Sequence, residues 1–393
     1  MLRLENLIAG MCPNGVPFTD IKSVAEVGTG TSNGNEADES GMYPFFIRSK
    51  IVKQKSSYEY DEEAIIIPGE GGIGEIFHYV NGKYALHQRV YRIHFEDPSI
   101  STRFIYYYME AFFKKFILRK AVSATVTSIR KPMIESFQFP VPPLEVQQEI
   151  VRILDHFTEL TAELTAELTA ELTARKEQYK YYSLSLINHA VDIKEVPIRS
   201  LGTWRGGCTP SMENSAFWSD GNIPWVSSKD MKAPLLVDTQ DHITQEALSQ
   251  TSIKLLPKNT VAIVARSGIL KHTLPVVFIP FETTVNQDIK ALTAAQNIEP
   301  RYAYHVLNAN SGNILQRIKK QGGTVDSLDI QKFMNYLVPV PPLPEQRRIV
   351  SILDRFDALC NDLTSGLPAE IAARQKQYEY YRDKLLTFPE RKP

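Results

Sequence analysis

An internal repeat constrains this chain more than any other feature of its 393 residues. Residues 140–182 and 339–381 match at 24 of 43 positions, and the separation between matching positions is a constant 199 residues. Both copies begin with the letters P-V-P-P-L and end with R-x-x-Q-Y-x-Y-Y. Chance does not produce such a match, so the chain is expected to fold as two related halves.

The segments that precede the two copies correspond more weakly, in pattern rather than in identity. Segments 16–17, 43–50, 64–67, 87–88 and 125–129 correspond in order to 196–197, 223–229, 261–264, 286–287 and 324–328. The order along the chain is therefore variable, constant, variable, constant. Corresponding segments that share a pattern but differ in residues indicate two homologous modules that recognise two different targets at a fixed separation.

Within the first copy, residues 159–174 repeat the sequence Glu-Leu-Thr-Ala four times. These residue types favour a helix, apart from Thr, and no Gly or Pro interrupts the run. Each unit advances about 400° around a helix, so the row of leucines drifts by about 40° per unit. This regularity indicates a spacer of adjustable length, and a solvated linker helix is the alternative. The leucines of the row are Leu160, Leu164, Leu168 and Leu172.

The run lies inside a longer predicted helix, residues 143–190, whose start is set by the pair Pro142-Pro143 and which carries apolar residues at spacings of three and four. Such a helix would be about 65 Å long, and it requires a packing partner. The expected partner is its own copy, residues 343–386, running antiparallel. Because Gly366, Leu367 and Pro368 interrupt that copy, a break or kink is expected there.

The remaining segments have the pattern of globular modules. In the first, short apolar runs between Gly-rich turns predict strands at 43–47, 64–67, 75–80 and 84–93, and an aromatic run predicts a helix over 104–118. The predicted fold class is α/β: two homologous mixed α/β modules separated by two long antiparallel, coiled-coil-like helices with pseudo-two-fold symmetry. The predicted divisions are a first module 1–142, a central helix 143–190, a second module 191–341 and a distal helical region 342–393.

Composition excludes several classes of protein. A hydrophobic content of 43% and a charged content of 23% are typical of a globular chain, and no run of 18 apolar residues predicts a membrane span. The N-terminus lacks the apolar segment of a signal peptide, so a cytoplasmic location is expected. The three cysteines are far apart and indicate neither a zinc site nor a disulfide framework. A net charge of −1 means that any binding of nucleic acid depends on local basic patches.

No motif of a catalytic centre is found in the sequence. There is no N-P-P-Y or D-P-P-Y motif of a methyltransferase and no G-x-x-x-x-G-K-[ST] loop for ATP. Residues 69–74 fit the dinucleotide pattern G-x-G-x-x-G, but a strand is predicted after them where the fingerprint requires a helix, so a hairpin turn is expected. His87, His242 and His272 are isolated in sequence, which favours surface or core histidines over metal ligands. Neither catalytic, cofactor-binding nor metal-binding residues are predicted.

The repeated P-V-P-P-L helices, the T-A-E-L units, the R-x-x-Q-Y-x-Y-Y ends and the stretches W-V-S-S-K-D-M-K, V-A-R-S-G and N-Q-D-I-K-A-L resemble the specificity subunit of type I restriction–modification systems. The T-A-E-L units are similar to those of the type IC branch. The resemblance covers essentially the whole chain, and it is most specific in the helices and the second module. It implies that each module reads one half of a split site in double-stranded DNA, and that the helices set the gap between the half-sites and bind two modification subunits. It also implies a non-catalytic chain, with S-adenosylmethionine, ATP and Mg²⁺ held by the modification and restriction subunits and with no membrane partner.

Candidate DNA contacts follow from basic and polar residues beside predicted strands, because Arg and Lys suit guanine edges and phosphates, and Ser and His bond to either. A lysine on a solvated loop is the alternative for each position. Arg266 is the strongest candidate, since the neighbouring Ser and Gly let backbone and guanidinium approach a groove together. The strand-end candidates are Arg48, Ser49 and Lys50 in the first module and Ser227, Ser228, Lys229, Lys232, Arg266, Ser267, Lys271 and His272 in the second. Two denser basic patches, expected to hold phosphates, are Lys114, Lys115, Arg119 and Lys120 and, in the second module, Arg317, Lys319 and Lys320.

Two other classes of function remain open at this point. A free-standing two-module DNA-binding regulator would bind tightly without modification subunits. An enzyme such as a nuclease would need a cluster of acidic residues with a lysine, and the sequence contains no such constellation.

Overall fold

A computed structural model of the chain describes residues 2–120, 128–322, 324–361 and 366–391, without the side chains of Leu2 and Lys120. The chain divides into two compact units. The first unit comprises Met1–Ala166 together with Ala372–Pro393, and the second comprises Glu167–Ile371. Each unit therefore contains one module together with parts of the long helices.

The first module is a mixed α/β fold around one six-stranded sheet. Its elements are α1 (Leu2–Met11), β1 (Phe18–Asp20), α2 (Ile21–Val24), β2 (Ala25–Thr29), β3 (Tyr43–Phe46), β4 (Lys53–Lys55), β5 (Tyr60–Pro68), β6 (His78–Leu86), β7 (Val90–Phe95), α3 (Thr102–Lys120), α4 (Lys131–Glu135) and β8 (Gln138–Pro140). The strands of the sheet lie in the order β2-β7-β5-β6-β3-β4, and all neighbours are antiparallel except β3 and β6. Strands β1 and β8 pair with each other outside this sheet and bring the beginning and the end of the module together.

The core of the first module lies between this sheet and α3. Apolar residues at spacings of three and four place the aromatic side chains Phe104, Tyr107 and Phe113 of α3 in the core, together with Ile65 and Ile67 of β5. The predicted helix over 104–118 and the predicted strands over 43–47 and 64–67 are confirmed.

Two predicted strands of the first module are corrected. The segment 84–93 is not one strand, because a turn at residues 87–89 separates β6 from β7 and makes the segment a hairpin. The segment 75–80 becomes a strand only at His78, because Gly71, Gly72 and Gly74 all adopt positive φ and carry the chain through a turn. Periodicity alone does not reveal either turn, since apolar residues continue on both sides.

The strands of the second module are β9 (Lys194–Pro197), β10 (Gly202–Gly206), β11 (Ile223–Val226), β12 (Asp241–Ile243), β13 (Thr260–Val264), β14 (Arg266–Ser267), β15 (Val276–Ile279), β16 (Thr284–Val285), β17 (Ile289–Ala294), β18 (Lys319–Lys320), β19 (Asp326–Leu328) and β20 (Leu337–Val340). In this module the described residues form four small sheets, in the orders β10-β17-β13-β15, β12-β11-β16, β14-β19-β18 and β20-β9. Its helices are α6 (Gln245–Gln250), α7 (Pro300–Ile318) and α8 (Ile330–Asn335). Helix α7 packs against β13, β15 and β17 as α3 packs in the first module.

The two modules use the same frame at the strand that precedes the candidate contacts. In the first, β3 pairs in parallel with the end of β6, and the backbone N–H of His87 donates to the carbonyl of Phe46 at 3.0 Å. In the second, β11 pairs in parallel with β16, and the N–H of Asn286 donates to the carbonyl of Val226 at 2.9 Å. The weak sequence correspondence between the modules therefore reflects the same strand pairing and hydrogen bonding in both.

The long helices are α5 (Leu144–Asn188), α9 (Leu343–Asn361) and α10 (Leu367–Leu386). Helix α5 is continuous, as predicted for 143–190. In its copy Gly366 lies in a bend and α10 begins at Leu367, which agrees with the break expected at Gly366–Pro368, whereas residues 362–365 lie outside the described residues. In the first unit, α5 packs on α10 through the rings of Phe157 and Tyr381, whose centroids are 6.4 Å apart. In the second unit, α5 packs on α9 through the equivalent pair, Tyr182 and Phe356, at 6.3 Å.

The starts of α5 and α9 are each fixed by a buried glutamine that occupies the same place in both copies of the repeat. Gln147 donates to the carbonyls of Pro142 and Ser99 and accepts from the backbone N–H of Ser101. Gln346 donates to the carbonyls of Pro341 and Asn297 and accepts from the N–H of Glu299. Because a buried amide that lost these partners would leave several polar groups unsatisfied, the two glutamines hold each helix on its module.

The leucine row along the T-A-E-L units does not form one buried seam. Leu160 is 47% exposed, Leu164 and Leu172 are partly buried, and Leu168 is only 8% exposed. This change along the row follows from the four-residue period, because each leucine is rotated by about 40° from the one before.

Candidate nucleic-acid interface

A small three-stranded sheet brings together candidate residues of the second module that are far apart in sequence. Strand β19 lies between β14 and β18, and its Ser327 pairs with Arg266 on one side and with Lys320 on the other. Residues opposite one another in an antiparallel sheet point to the same face. Arg266, Ser327 and Lys320 therefore form a row across the sheet, and both basic side chains of the row are exposed.

The chain after β14 continues this surface. The Oγ of Ser267 accepts a hydrogen bond from the N–H of Ile269 and caps a short 3-10 turn, Gly268–Lys271, which is anchored by the buried side chain of Leu270. The turn leaves Lys271 and His272 exposed beside β19. Ser267 therefore stabilises the turn, while the exposed side chains of Lys271 and His272 remain accessible to a ligand.

The lysines of the denser basic patch differ in their accessibility. Lys319 forms an ion pair with the buried Asp326 at 3.4 Å, whereas Lys320 is more exposed and pairs with Asp329 at 3.1 Å. A hydrogen bond from the N–H of Gly322 lowers the pKa of Asp326, and Lys319 and Lys271 lower it further. Arg317 is exposed on α7. Lys320 and Arg317 are therefore the better placed of the three for a phosphate.

The strand-end candidates after β11 form a turn. Both the backbone N–H and the hydroxyl of Ser227 donate to Oδ2 of Asp230, at 2.8 and 2.9 Å, and Ser227 is only 6% exposed. Its placement does not support the expected DNA contact, because its side chain already holds the turn. Lys229 is exposed and paired with Asp241, Ser228 is partly buried, and Lys232 is exposed.

In the first module, Arg48 lies beside a cleft of about 310 Å³ at the end of β3. Its Nη1 donates to Oε2 of Glu70 at 2.8 Å, and Arg89 donates to both oxygens of the same carboxylate at 3.3 and 3.1 Å. Ser49 accepts from the N–H of Ile51, and Lys50 is exposed. The cleft is lined by Gly34, Ile47, Arg48, Glu70, Gly71 and His87.

The second basic patch of the first module lies at the end of α3. Lys114 pairs with Glu75, Lys115 pairs with Asp383 at 3.5 Å, and Arg119 is exposed. The side chain of Lys120 and residues 121–127 lie outside the described residues.

The dinucleotide-like glycine pattern is a hairpin loop, as predicted. Residues 69–77 connect β5 to β6, which pair antiparallel, so the loop opens a strand and not a helix. The fingerprint needs a helix N-terminus behind the glycines to bind a pyrophosphate, and this loop supplies none.

Sequence reasoning missed three residues of these surfaces, Glu70, Arg89 and Ser327. In the sequence Glu70 lies within the glycine pattern, and Arg89 lies within a segment that is predicted to be one strand. The repeat contained the signal, since residues 87–88 correspond to 286–287 and therefore mark a turn in both modules.

Each module is also joined to its long helix by an arginine that packs on aromatic rings. In the first unit, Arg103 of α3 donates to Asp155 of α5 at 2.9 Å and lies 4.6 Å from the ring centre of Tyr79. In the second unit, Arg301 of α7 donates to Asp354 of α9 at 2.6 Å and lies 4.8 Å from the ring centre of Phe278. A guanidinium held by a carboxylate and by aromatic faces is a rigid link, so each module is fixed in orientation on its helix.

The second joint contains a titratable group that the first lacks. His305 is fully buried, and its Nε2–H donates to Asp354 at 2.6 Å while its Nδ1 accepts from the hydroxyl of Tyr179 at 3.0 Å. In the first joint Tyr107 donates to Asp155 instead. Burial lowers the pKa of His305, and the hydrogen bond to Asp354 opposes this only in part.

This histidine predicts a pH dependence of the second unit. Below about pH 6.5 the unfolded chain binds a proton that the folded chain does not, so stability should fall as pH decreases, by about 1.4 kcal/mol for each pKa unit of difference. The melting temperature of the wild-type protein, measured from pH 8 to pH 5, should fall more than that of a His305→Tyr variant, which copies the first joint. Equal slopes for the two proteins would contradict the role of His305.

The described residues contain no group of three or more His, Cys, Asp or Glu side chains that could hold a metal ion. Among the same residues, no helix has both the length and the apolar character needed to cross a membrane. The candidate side chains of the two modules lie on the same frame, after β3 in the first module and after β11 in the second.

The comparison with known families agrees with this twofold arrangement. Residues 13–174 and residues 190–373 each match the type I restriction modification DNA specificity domain. The chain belongs to this family. Specificity subunits are the non-catalytic DNA-recognition components of restriction–modification systems, so the predicted class of protein and its lack of a catalytic role are confirmed.

Curated relatives are named as type I specificity subunits. The type I restriction enzyme EcoR124I/EcoR124II specificity subunit of Escherichia coli is 43% identical over 297 residues, which are 75% of this chain and 72% of the relative. A protein of Haemophilus influenzae with the provisional name of a type I restriction enzyme specificity subunit, S.HindORF215P, is 31% identical over 361 residues, which are 89% of each chain.

Solved structures show the same fold. A chain from a study of complex assembly and conformational transition of the type I R-M system aligns with a TM-score of 0.69 at 14% identity, over 95% of this chain and 98% of that one. At this identity the likeness concerns the fold alone. It agrees with the predicted fold class of two mixed α/β modules and long helices.

Proposed function

We propose that each module of this specificity subunit reads one half of a split site in double-stranded DNA. The observation that carries the proposal is the shared frame with different surface chemistry. At the end of β3 the first module presents Arg48, Glu70 and Arg89, whereas the second presents Arg266 and Lys320 on its small sheet. A shared frame fixes where the DNA lies, and different side chains on it select different bases.

The long helices are proposed to bind two modification subunits and to set the gap between the half-sites. In the first unit, α5 and α10 border an apolar cleft of about 240 Å³ that includes Phe157, Leu160, Leu164 and Tyr381. Tyr181 and Tyr380 are exposed in the two copies of the Y-x-Y-Y end. Apolar and aromatic side chains exposed on a helix suit a partner helix better than water.

The chemistry is proposed to reside in the partners. The modification subunits would hold S-adenosylmethionine, and the restriction subunits would hold ATP and Mg²⁺. This chain would supply the DNA contacts and the distance between them.

The proposal predicts a clear difference between the chain alone and the assembled complex. The purified chain should transfer no methyl group from S-adenosylmethionine to DNA, and together with two modification subunits it should methylate one split sequence. Methyl transfer is measured with radiolabelled S-adenosylmethionine on defined duplexes, and modification subunits without the chain serve as the control. Turnover of S-adenosylmethionine by the pure chain, or site-specific methylation without it, would refute the proposal.

A further inference from the structure

The backbone shows which position in the first module is equivalent to Arg266. The N–H of Gly69 donates to the carbonyl of Arg89 at 3.0 Å, and the carbonyl of Gly69 accepts from Ile129 at 2.8 Å. The N–H of Ala265 donates to the carbonyl of Asp288 at 2.7 Å, and its carbonyl accepts from Leu328 at 2.8 Å. Gly69 and Ala265 are therefore equivalent, and the next residues are Glu70 and Arg266.

The two modules thus present opposite charges at one position. Arg266 is exposed and forms no ion pair with any of the described residues. Glu70 is held between two arginines, with one hydrogen bond from Arg48 and two from Arg89. A carboxylate offers about four acceptor positions, so Glu70 retains capacity for a further donor at the cleft.

A carboxylate at a DNA-facing position has few favourable partners. Phosphates repel it, and sugar and base acceptors cannot donate to it, so the groups that it can bind are the amino groups of base edges. In the major groove, Glu accepts from the amino group of cytosine, and Arg donates to O6 and N7 of guanine. Arg48, Glu70 and Arg89 together match the donors and acceptors of one guanine–cytosine pair.

His87 adds a second group to the same cleft. It is only 7% exposed, and its Nδ1 accepts from the N–H of Arg89 at 3.0 Å, which places the proton of the neutral ring on Nε2. Nε2 forms no hydrogen bond to any described residue, and the ring lines the cleft. Asn286 makes the equivalent contact in the second module, where its Oδ1 accepts from Asp288 at 3.0 Å. The frame therefore holds a polar side chain at this position in both modules, and it holds the Glu–Arg set only in the first.

We propose that Glu70 is a specificity-determining residue, and that with Arg48 and Arg89 it recognises a guanine–cytosine pair in the first half-site. This inference rests on the proposed function of the modules. The second half-site is read at the equivalent place by Arg266 without a carboxylate, so the two half-sites differ in the chemistry of this position.

The test compares four complexes with modification subunits: wild type, Glu70→Ala, Glu75→Ala and Arg266→Ala. Glu75→Ala is the matched control, because it also removes one exposed, ion-paired glutamate of the first module. Each complex is given a pool of duplexes with randomised half-sites, and the methylated sequences are read out. The wild-type first half-site should contain a guanine–cytosine pair whose preference falls by about tenfold or more in Glu70→Ala.

The control should keep every base preference, and Arg266→Ala should weaken selection only in the second half-site. Unchanged base preferences in Glu70→Ala, or a first half-site without a guanine–cytosine pair, would overturn the assignment of Glu70. Because the side chain of Glu70 lies at the surface, the melting temperatures of the variants should be close to that of the wild type. A Glu70→Ala complex that does not assemble would also overturn the assignment. A wild-type complex that selects no split site would overturn the proposed function itself, which separates the two failures.

Discussion

Deletion of one T-A-E-L unit, residues 165–168, should shorten the gap between the two half-sites by about one base pair and leave both half-sites unchanged. Four residues contribute roughly 6 Å of helix and a rotation of about 40°. One base pair of B-DNA contributes about 35° of twist and about 3.4 Å of rise. Rotation should decide the outcome, because a module turned by about 35° loses its groove, whereas DNA bending absorbs a few ångströms at modest cost.

The structure places this deletion where it should disturb neither module. The boundary between the compact units lies between Ala166 and Glu167, inside the deleted segment. After the deletion Leu172 takes the position of the buried Leu168, because the following unit has the same sequence. The helix should therefore remain continuous.

Methylated sites mapped across a genome would measure the gap in the deletion strain. A Thr165→Ala variant is the matched control, since it changes the same unit without changing its length, and its sites should be those of the wild type. An unchanged gap after the deletion would mean that the repeat is a linker without a measuring role.

Exchange of residues 191–341 for the second module of another family member should replace the second half-site completely and leave the first intact. Specific sites bind such proteins about a thousandfold or more better than unrelated DNA, so methylation of the original sequence should be lost. The same genome-wide mapping measures both halves separately. A change in both halves would contradict independent reading by the modules.

The contacts of Arg301 and His305 with the long helices determine which modules can be exchanged without loss of stability. Arg301 and His305 lie in the exchanged segment, while Asp354 and Tyr179 stay in the helices. An incoming module with an arginine at the position of Arg301 should assemble normally. The same exchange with alanine there should give a less stable complex, because Asp354 then loses the charge that compensates its partial burial. Equal stability of the two exchanged complexes would show that the arginine does not join the module to α9.

The long helices and the repeat were predictable because their signals are local. A helix is defined by residues three and four positions apart, so 143–190 and the break at Gly366 could be read directly. The turn at 87–89 was missed for the same reason, since nothing within a short window distinguishes a hairpin in an apolar run from one strand. The repeat indicated two recognition events, because its two halves share a frame and differ in content, and the class of protein followed from the resemblance of the repeated motifs to type I specificity subunits.

The residues that make up the candidate site could be identified only from the tertiary structure. Glu70 is separated from Arg48 by 22 residues and from Arg89 by 19, and Arg266 is joined to Lys320 only through Ser327 on a third strand. The sequence by itself determined that there are two modules, that a regular helix separates them, and which basic residues lie at strand ends. Tertiary structure alone decided which candidate side chains are exposed, as for Arg266, and which already form the hydrogen bonds of a turn, as for Ser227. The physical reason is that helix formation depends on neighbours in sequence, whereas the pairing and burial of a charge depend on strands brought together from distant parts of the chain.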